Sequence, residues 1–120
     1  MPTITIDPTT VTIRLSLGER ILALRGDLRL PLAAITAVDV VPDALAAVEG
    51  LRAPGLGVPG AAKVGTWRRR GGATVALVRG RGPGLRIRTG SGPVRTVIIT
   101  TDQAADLAAQ LAPLVTGSPR

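Results

Sequence analysis

The sequence predicts one small, mostly β domain that is closed by a single C-terminal α-helix. Apolar and polar residues alternate through most of the chain, Pro and Gly interrupt these runs at short intervals, and an apolar stripe with helical spacing occurs only after residue 100. At 120 residues the chain suits one compact domain, because a domain of this size buries roughly two-thirds of the surface that its unfolded chain exposes. We place this domain at residues 1–115 and predict a disordered tail at 116–120.

Four short strands are predicted in the first forty or so residues. In TVTIRLSL the residues Val11, Ile13 and Leu15 alternate with polar residues, which is the period of a half-buried strand. RILALRG (20–26) forms the second strand. The third is LRLPL (28–32), where Pro31 withholds a backbone donor and marks a strand end or a sheet edge. The fourth is the β-branched run ITAVDVV, which ends at Pro42.

The alternation stops between residues 42 and 61. A short helical turn can follow Pro42, and Pro and Gly then recur without a period. We predict a long Pro/Gly-rich loop over 42–61. A connection of this length in a compact domain is usually functional or mobile.

The second half of the chain predicts a meander, a further strand and the helix. AKVGTWRR, ATVALVR and GPGLRIRTG are joined by short Gly-containing connections that are typical of antiparallel neighbours. PVRTVIITT is apolar on both phases, as expected of a strand that is covered on both faces. Asp102 is the predicted N-cap of the helix, whose apolar stripe consists of Ala104, Leu107, Ala108 and Leu111 before Pro113.

Four segments in this order, LRLPLAAITAVDV, LRAPGLGVPG, GTW and RTVIITTDQAADLAAQL, resemble the bacterial pleckstrin-homology-like (PH-like) domains of actinobacterial type. The resemblance covers Thr3 to Leu114. It implies a seven-stranded, strongly bent antiparallel barrel or sandwich capped by the C-terminal helix, and a binding or assembly role without catalysis. Relatives carry a second aromatic residue shortly after the position of Trp67, whereas this chain has aliphatic residues such as Val75 and Leu77 there.

Composition excludes several chemistries. The chain contains neither Cys nor His, which removes disulfides, thiolate nucleophiles, and the commonest general base and metal ligand. The segment PGLGVPG lacks the Lys-Ser/Thr ending of a phosphate-binding loop. We therefore predict no catalytic residues, no cofactor and no metal site. The N-terminus does not resemble a secretory signal, and no apolar run approaches a transmembrane helix, so the expected location is the cytoplasm.

Arginines form the candidate ligand site. Fifteen basic residues against eight acidic ones give a net charge of +7, which favours polyanionic partners. In the predicted meander Arg68, Arg69, Arg70 and Arg88 gather at one end of the sheet. Guanidinium groups bind phosphate in a bidentate manner, so these four arginines are the candidate polyanion-binding residues. A solvated hairpin that is protected by charge from edge aggregation is the alternative.

Trp67 is the only aromatic residue of the chain. A large apolar ring suits a core that is otherwise built from Leu, Val, Ile and Ala, so we predict that Trp67 is a core aromatic. An exposed ring that stacks on a ligand is the alternative.

These patterns predict a non-catalytic binding or scaffold module that acts through protein contacts, including self-association. The natural contact surface is a sheet edge or the loop at 42–61. The first alternative is a peripheral binder of anionic lipid at the inner face of the membrane, through the Arg-rich hairpin. A weak nucleic-acid binder ranks last, because binders of single strands add stacking aromatics to a basic groove. No small-molecule substrate is predicted.

Overall fold

The chain folds into two β-sheets and a C-terminal helix. The structure, a computed structural model, describes residues 3–15, 28–48, 51–58, 62–69, 72–79, 82–90 and 94–114, and it describes the backbone alone at 3, 51–58, 62, 68 and 69. The strand predicted at 20–26 and the tail predicted at 116–120 lie outside these residues. The mostly β fold with one C-terminal helix is confirmed.

The small sheet has three antiparallel strands in the order β1-β2-β3, namely β1 (Thr3–Ile6), β2 (Thr10–Arg14) and β3 (Leu28–Pro31). The predicted alternation is confirmed, because Val11 and Ile13 are fully buried while Arg14 is exposed. Asp7 forms the turn between β1 and β2, where its Oδ1 atom accepts hydrogen bonds from the backbone N–H groups of Thr9 and Thr10 at 2.9 and 2.8 Å.

The large sheet has six strands in the order β4-β8-β9-β7-β6-β5. The strands are β4 (Ile35–Val41), β5 (Leu51–Val58), β6 (Ala62–Arg69), β7 (Gly72–Arg79), β8 (Gly84–Thr89) and β9 (Val94–Thr100). A short helix, α1 (Ala44–Ala47), follows β4, and the C-terminal helix, α2 (Ala104–Leu111), follows β9. All neighbouring strands are antiparallel except β7 and β9, which are parallel.

Of the predicted seven-stranded antiparallel barrel or sandwich, the closed barrel, the strand number and the fully antiparallel pairing are wrong. The described residues contain nine strands in two sheets that do not close into a barrel. The predicted meander is also wrong beyond its first hairpin, because β9 lies between β7 and β8. The reason lies in burial: Val97, Ile98 and Ile99 are all buried, and a strand that is apolar on both faces is most stable in the middle of a covered sheet.

The predicted loop over 42–61 is wrong at Leu51–Val58, which form strand β5 and pair with β6. Pro54 lies within this strand, between Arg52 and Gly55, where the pairing register shifts. Pro cannot donate to a ladder and is tolerated at edge strands and bulges, and β5 is the edge strand of the large sheet. The frequent Pro and Gly residues therefore hid a strand in this segment.

The large sheet is covered on both faces. One face shares a core with the inner face of the small sheet and with α2, and we call this the first cluster. The opposite face carries the second cluster, which packs with α1 and consists of Val41, Ala44, Leu45, Val48, Trp67, Ala76, Val78 and Ile98. Strand β7 serves both, since Val75 and Leu77 belong to the first cluster and alternate with Ala76 and Val78 of the second.

Helix α2 packs as its stripe predicts, with Ala104 and Leu111 buried and Leu107 and Ala108 partly buried against the first cluster. The predicted N-cap is wrong: the cap position is Gln103, and no side chain caps it. Instead the Thr101 hydroxyl accepts a hydrogen bond from the backbone N–H of Gln103 at 3.1 Å. This bond holds the residue immediately before Ala104, the first residue of the helix, and Asp102 is exposed.

Helix α1 lies very close to the large sheet. A Cβ atom on Gly84 would lie 2.6 Å from the Cβ atom of Ala44 and 2.8 Å from the carbonyl oxygen of Ile99. Two small residues therefore allow the contact. Asp43 caps the helix, since its Oδ1 atom accepts from the backbone N–H of Ala46 at 3.3 Å, and the Lys63 Nζ atom donates to the carbonyl oxygen of Val48 at 3.0 Å.

We expect Thr66→Val to stabilise the protein. Thr66 is 2 % exposed and lies opposite Val75, and its hydroxyl has no hydrogen-bond partner among the described residues. Val has nearly the same shape without the unsatisfied polar group, so the free energy of unfolding should rise by about 1 kcal/mol. Urea unfolding followed by the fluorescence of Trp67 measures this change.

The matched control for that variant is Thr89→Val. The Thr89 hydroxyl donates to the carbonyl oxygen of Val94 at 2.8 Å, so the same substitution removes a formed hydrogen bond and should lower the free energy of unfolding. Equal effects of the two substitutions would contradict the unsatisfied state of Thr66.

Candidate functional site

The four predicted arginines are only partly visible in the structure. Arg68 and Arg69 end strand β6, Arg70 lies outside the described residues, and the exposed Arg88 lies near the end of β8. The registers place Arg88 opposite Thr96 in β9, Thr96 opposite Thr74 in β7, and Thr74 opposite Trp67 in β6. Arg88 is thus at the same end of the sheet as Arg68 and Arg69.

The spacing of these arginines differs from that of a meander. Strands β9 and β7 both lie between β8 and β6, so the backbones that carry Arg88 and Arg68 are three strand spacings, or about 14 Å, apart. A meander would bring them within two spacings, or about 10 Å. The four-arginine site and the lipid and nucleic-acid alternatives that depend on it stay predictions.

Trp67 is 5 % exposed and belongs to the second cluster. Its ring lies on the side of the large sheet that α1 covers, not inside a barrel. The side chain contributes to packing and offers little surface for stacking on a ligand.

Arg86, two residues before Arg88, is neutralised within the sheet. It lies opposite Asp39 across the β4–β8 pair, and its Nε atom donates to the Asp39 Oδ1 atom at 3.0 Å. A second hydrogen bond joins the Nη2 atom to Oδ2, which gives the bidentate geometry that favours such pairs. Arg86 is therefore a structural residue and adds no free cation to the predicted arginine site.

A second polar surface was not predicted from the sequence. An open cleft of about 350 Å³ lies on the solvent face of the small sheet, and we call it the threonine–arginine cleft. It is lined by Thr5, Asp7, Thr10, Thr12, Arg14 and Arg29.

Strand register builds this cleft. Thr12 in β2 lies opposite Thr5 on one side and Arg29 on the other. Arg14 is two residues beyond Thr12, so its side chain is on the same face. The other face of both strands is buried, with Val11, Ile13 and Leu30 in the first cluster. The cleft is therefore the solvent side of a sheet whose inner side is fixed by core packing.

Asp7 gives the cleft a negative end. The backbone N–H groups of Thr9 and Thr10, together with the Thr9 hydroxyl, hold the pKa of the Asp7 carboxyl below its ordinary value. Asp7 is thus ionised at neutral pH. The two arginines lie further along the strands, so the cleft has a cationic end and an anionic end.

The alternation of β2 could place Thr12 and Arg14 on one polar face, but it could not show that Arg29 joins them. That juxtaposition depends on the pairing of β2 with β3, which are separated by thirteen residues of chain. Strand pairing over such a distance leaves no local signal.

Comparison of the chain with protein-family models, with curated proteins and with solved structures gives no match in any of the three. Within the described ranges, no three acidic residues come together as a metal-binding group. None of the helices in the described part of the chain is long and apolar enough to cross a bilayer.

Proposed function

We propose that the protein is a non-catalytic binding module that joins a second copy of itself along strand β5. One observation carries this proposal: β5 ends the order of the large sheet and, in the described part of the chain, pairs with β6 alone. The outward backbone N–H and C=O groups of an edge strand are a template for another strand. An eight-residue edge is long enough to hold one.

The second half of β5 is the better part of this edge. The register with β6 is regular from Gly55 to Val58, where Leu56 lies opposite Val64. Before Gly55 the register shifts around Pro54, which disturbs the ladder. The opposite edge strand, β4, carries Asp39 in an ion pair with Arg86, and charged side chains on edge strands oppose pairing.

A second copy is the simplest occupant of such an edge. Two identical strands that meet antiparallel about a twofold axis offer each other the same pattern of donors and acceptors. Such a contact is complete with two chains, and it joins their two large sheets into one continuous sheet.

The assembly role also fits the expected family. The two sheets and the helix after the last strand support a relation to PH-like domains, whereas the parallel pair of β7 and β9 departs from their antiparallel sheet. The lack of His and Cys in the sequence supports a role without acid–base or thiol catalysis.

Sedimentation equilibrium tests self-association. Across about 1 µM to 1 mM protein, a range that covers free energies of association from roughly −8 to −4 kcal/mol, we expect a concentration-dependent dimer. Leu56→Pro and Gly57→Pro then locate the interface. Consecutive N–H groups of an antiparallel strand point alternately to its two sides, so one Pro removes an outward donor and the other removes a donor to β6.

We expect one of these two variants to be monomeric with unchanged Trp67 fluorescence, and the other to lose stability. A monomeric mass across the whole range, or a dimer that persists in both variants, would contradict the proposal.

A further inference from the structure

The solvent face of the small sheet brings two arginines close together. Thr12 lies opposite Arg29 in the β2–β3 pair, and Arg14 follows Thr12 by two residues on the same face. Arg14 and Arg29 are therefore diagonal neighbours, and such neighbours are about 7–8 Å apart at the backbone. Long side chains at this separation can converge on one small group.

Both arginines are exposed, and neither has an ion-pair or hydrogen-bond partner among the residues that the structure describes. Arg86 shows the contrast, because the Asp39 carboxylate satisfies its guanidinium. Two guanidinium groups on adjacent strands repel each other. An anion between them would be attracted to both groups, and these two attractions would outweigh the repulsion.

The hydroxyl groups of the cleft point to the same ligand chemistry. The hydroxyls of Thr5 and Thr12 have no partner within the described ranges, so both can donate to an oxygen atom. Asp7 is ionised at the other end of the cleft, which favours an anion at the end that holds Arg14 and Arg29.

We propose that the threonine–arginine cleft binds a phosphate group between Arg14 and Arg29, with Thr12 as a hydroxyl donor beneath it. Guanidinium forks match the oxygens of phosphate, and a phosphate group accepts more hydrogen bonds than a carboxylate. A single nucleic-acid strand is disfavoured, because proteins that bind such strands usually stack the bases on aromatic side chains. The one aromatic side chain of this protein, Trp67, is buried. The phosphate belongs to a soluble phosphate ester or to a lipid headgroup.

Inorganic phosphate is the probe for the first experiment. Amide NMR spectra of the full chain are recorded as phosphate replaces chloride at constant ionic strength. We expect saturable shifts at Thr12, Arg14 and Arg29, and affinity lowered about tenfold in Arg29→Gln, as for the loss of one charged hydrogen-bond pair. Arg79→Gln is the control, since Arg79 is exposed at the end of β7 in the other sheet and carries the same charge change.

Vesicles separate the two sources of phosphate. Phosphatidylcholine vesicles with and without phosphatidic acid are pelleted with the wild-type chain and with Arg29→Gln. Pelleting that needs phosphatidic acid and Arg29 assigns the cleft to a lipid headgroup, and phosphate binding without pelleting assigns it to a soluble ester.

Two results would overturn the proposal. One is the absence of saturable shifts up to about 50 mM phosphate, well beyond the millimolar affinity of a weak specific site. The other is an equal loss of affinity in Arg79→Gln and Arg29→Gln, which would show a response to net charge and no site. Neither result depends on self-association at β5, so the two proposals fail separately.

Discussion

Trp67→Ala is expected to lower the free energy of unfolding by about 3–5 kcal/mol, the usual range for removing a large aromatic side chain from a core. Trp67 is 5 % exposed, and it is the largest member of a cluster whose other residues are Val, Ala, Leu and Ile. No neighbour is large enough to fill the space that the ring leaves. Domains of this kind have about 5–15 kcal/mol of stability in all, so this loss would be a large share of the total.

Urea unfolding followed by far-ultraviolet circular dichroism measures the effect, because the variant has no fluorescent Trp. Trp67→Phe is the matched control. It keeps an aromatic ring in the second cluster and should lose much less stability. A loss below about 1 kcal/mol for Trp67→Ala, the level of an ordinary surface or partly buried change, would show that the ring does not support this face of the sheet.

The second cluster shows what local pattern can and cannot predict. The composition of the chain indicates a core position for its one aromatic residue, but the pattern does not reveal that the large sheet has two covered faces. That arrangement follows from α1, which depends on a contact between Gly84 and Ala44. The two positions are forty residues apart in the chain, and nothing near either one predicts the other.

Strand positions were easier to predict than strand order. The run Ile35–Val41 is a strand with the predicted bounds, because β-branched residues and the following Pro42 are local signals. The order β8-β9-β7 was missed, because the short connection between β7 and β8 favours direct neighbours. The double-sided burial of β9 outweighs this preference, since a central place covers Val97 and Ile98 at the same time.

The two candidate surfaces differ in how much of their charge is visible in the local sequence. A basic run is obvious at the consecutive residues Arg68, Arg69 and Arg70. By contrast, Arg14 and Arg29 are far apart in the sequence and come together only through the β2–β3 register. A charge cluster that forms through strand pairing has no signal in the local sequence.

Leu111→Ala is expected to lower the free energy of unfolding by about 2–5 kcal/mol, since Leu-to-Ala changes in well-packed cores leave cavities that relax only in part. Leu111 is fully buried at the end of α2 and belongs to the first cluster. That cluster also contains Ile13 of the small sheet and Ile87 of the large sheet. The side chain thus helps to hold the helix against the core that the two sheets share.

Two spectroscopic probes distinguish detachment of α2 from unfolding of the whole domain. Trp67 lies in the second cluster, on the opposite face of the large sheet from α2, so detachment of the helix alone would change the circular dichroism and leave the Trp67 fluorescence unchanged. We expect both signals to shift to the same lower urea midpoint, because the first cluster joins α2 to both sheets. Gln110→Ala, at an exposed position in the same turn, should leave the midpoint nearly unchanged. Equal effects of the two substitutions, or separate transitions for the two probes, would show that the fold does not depend on the packing of this helix.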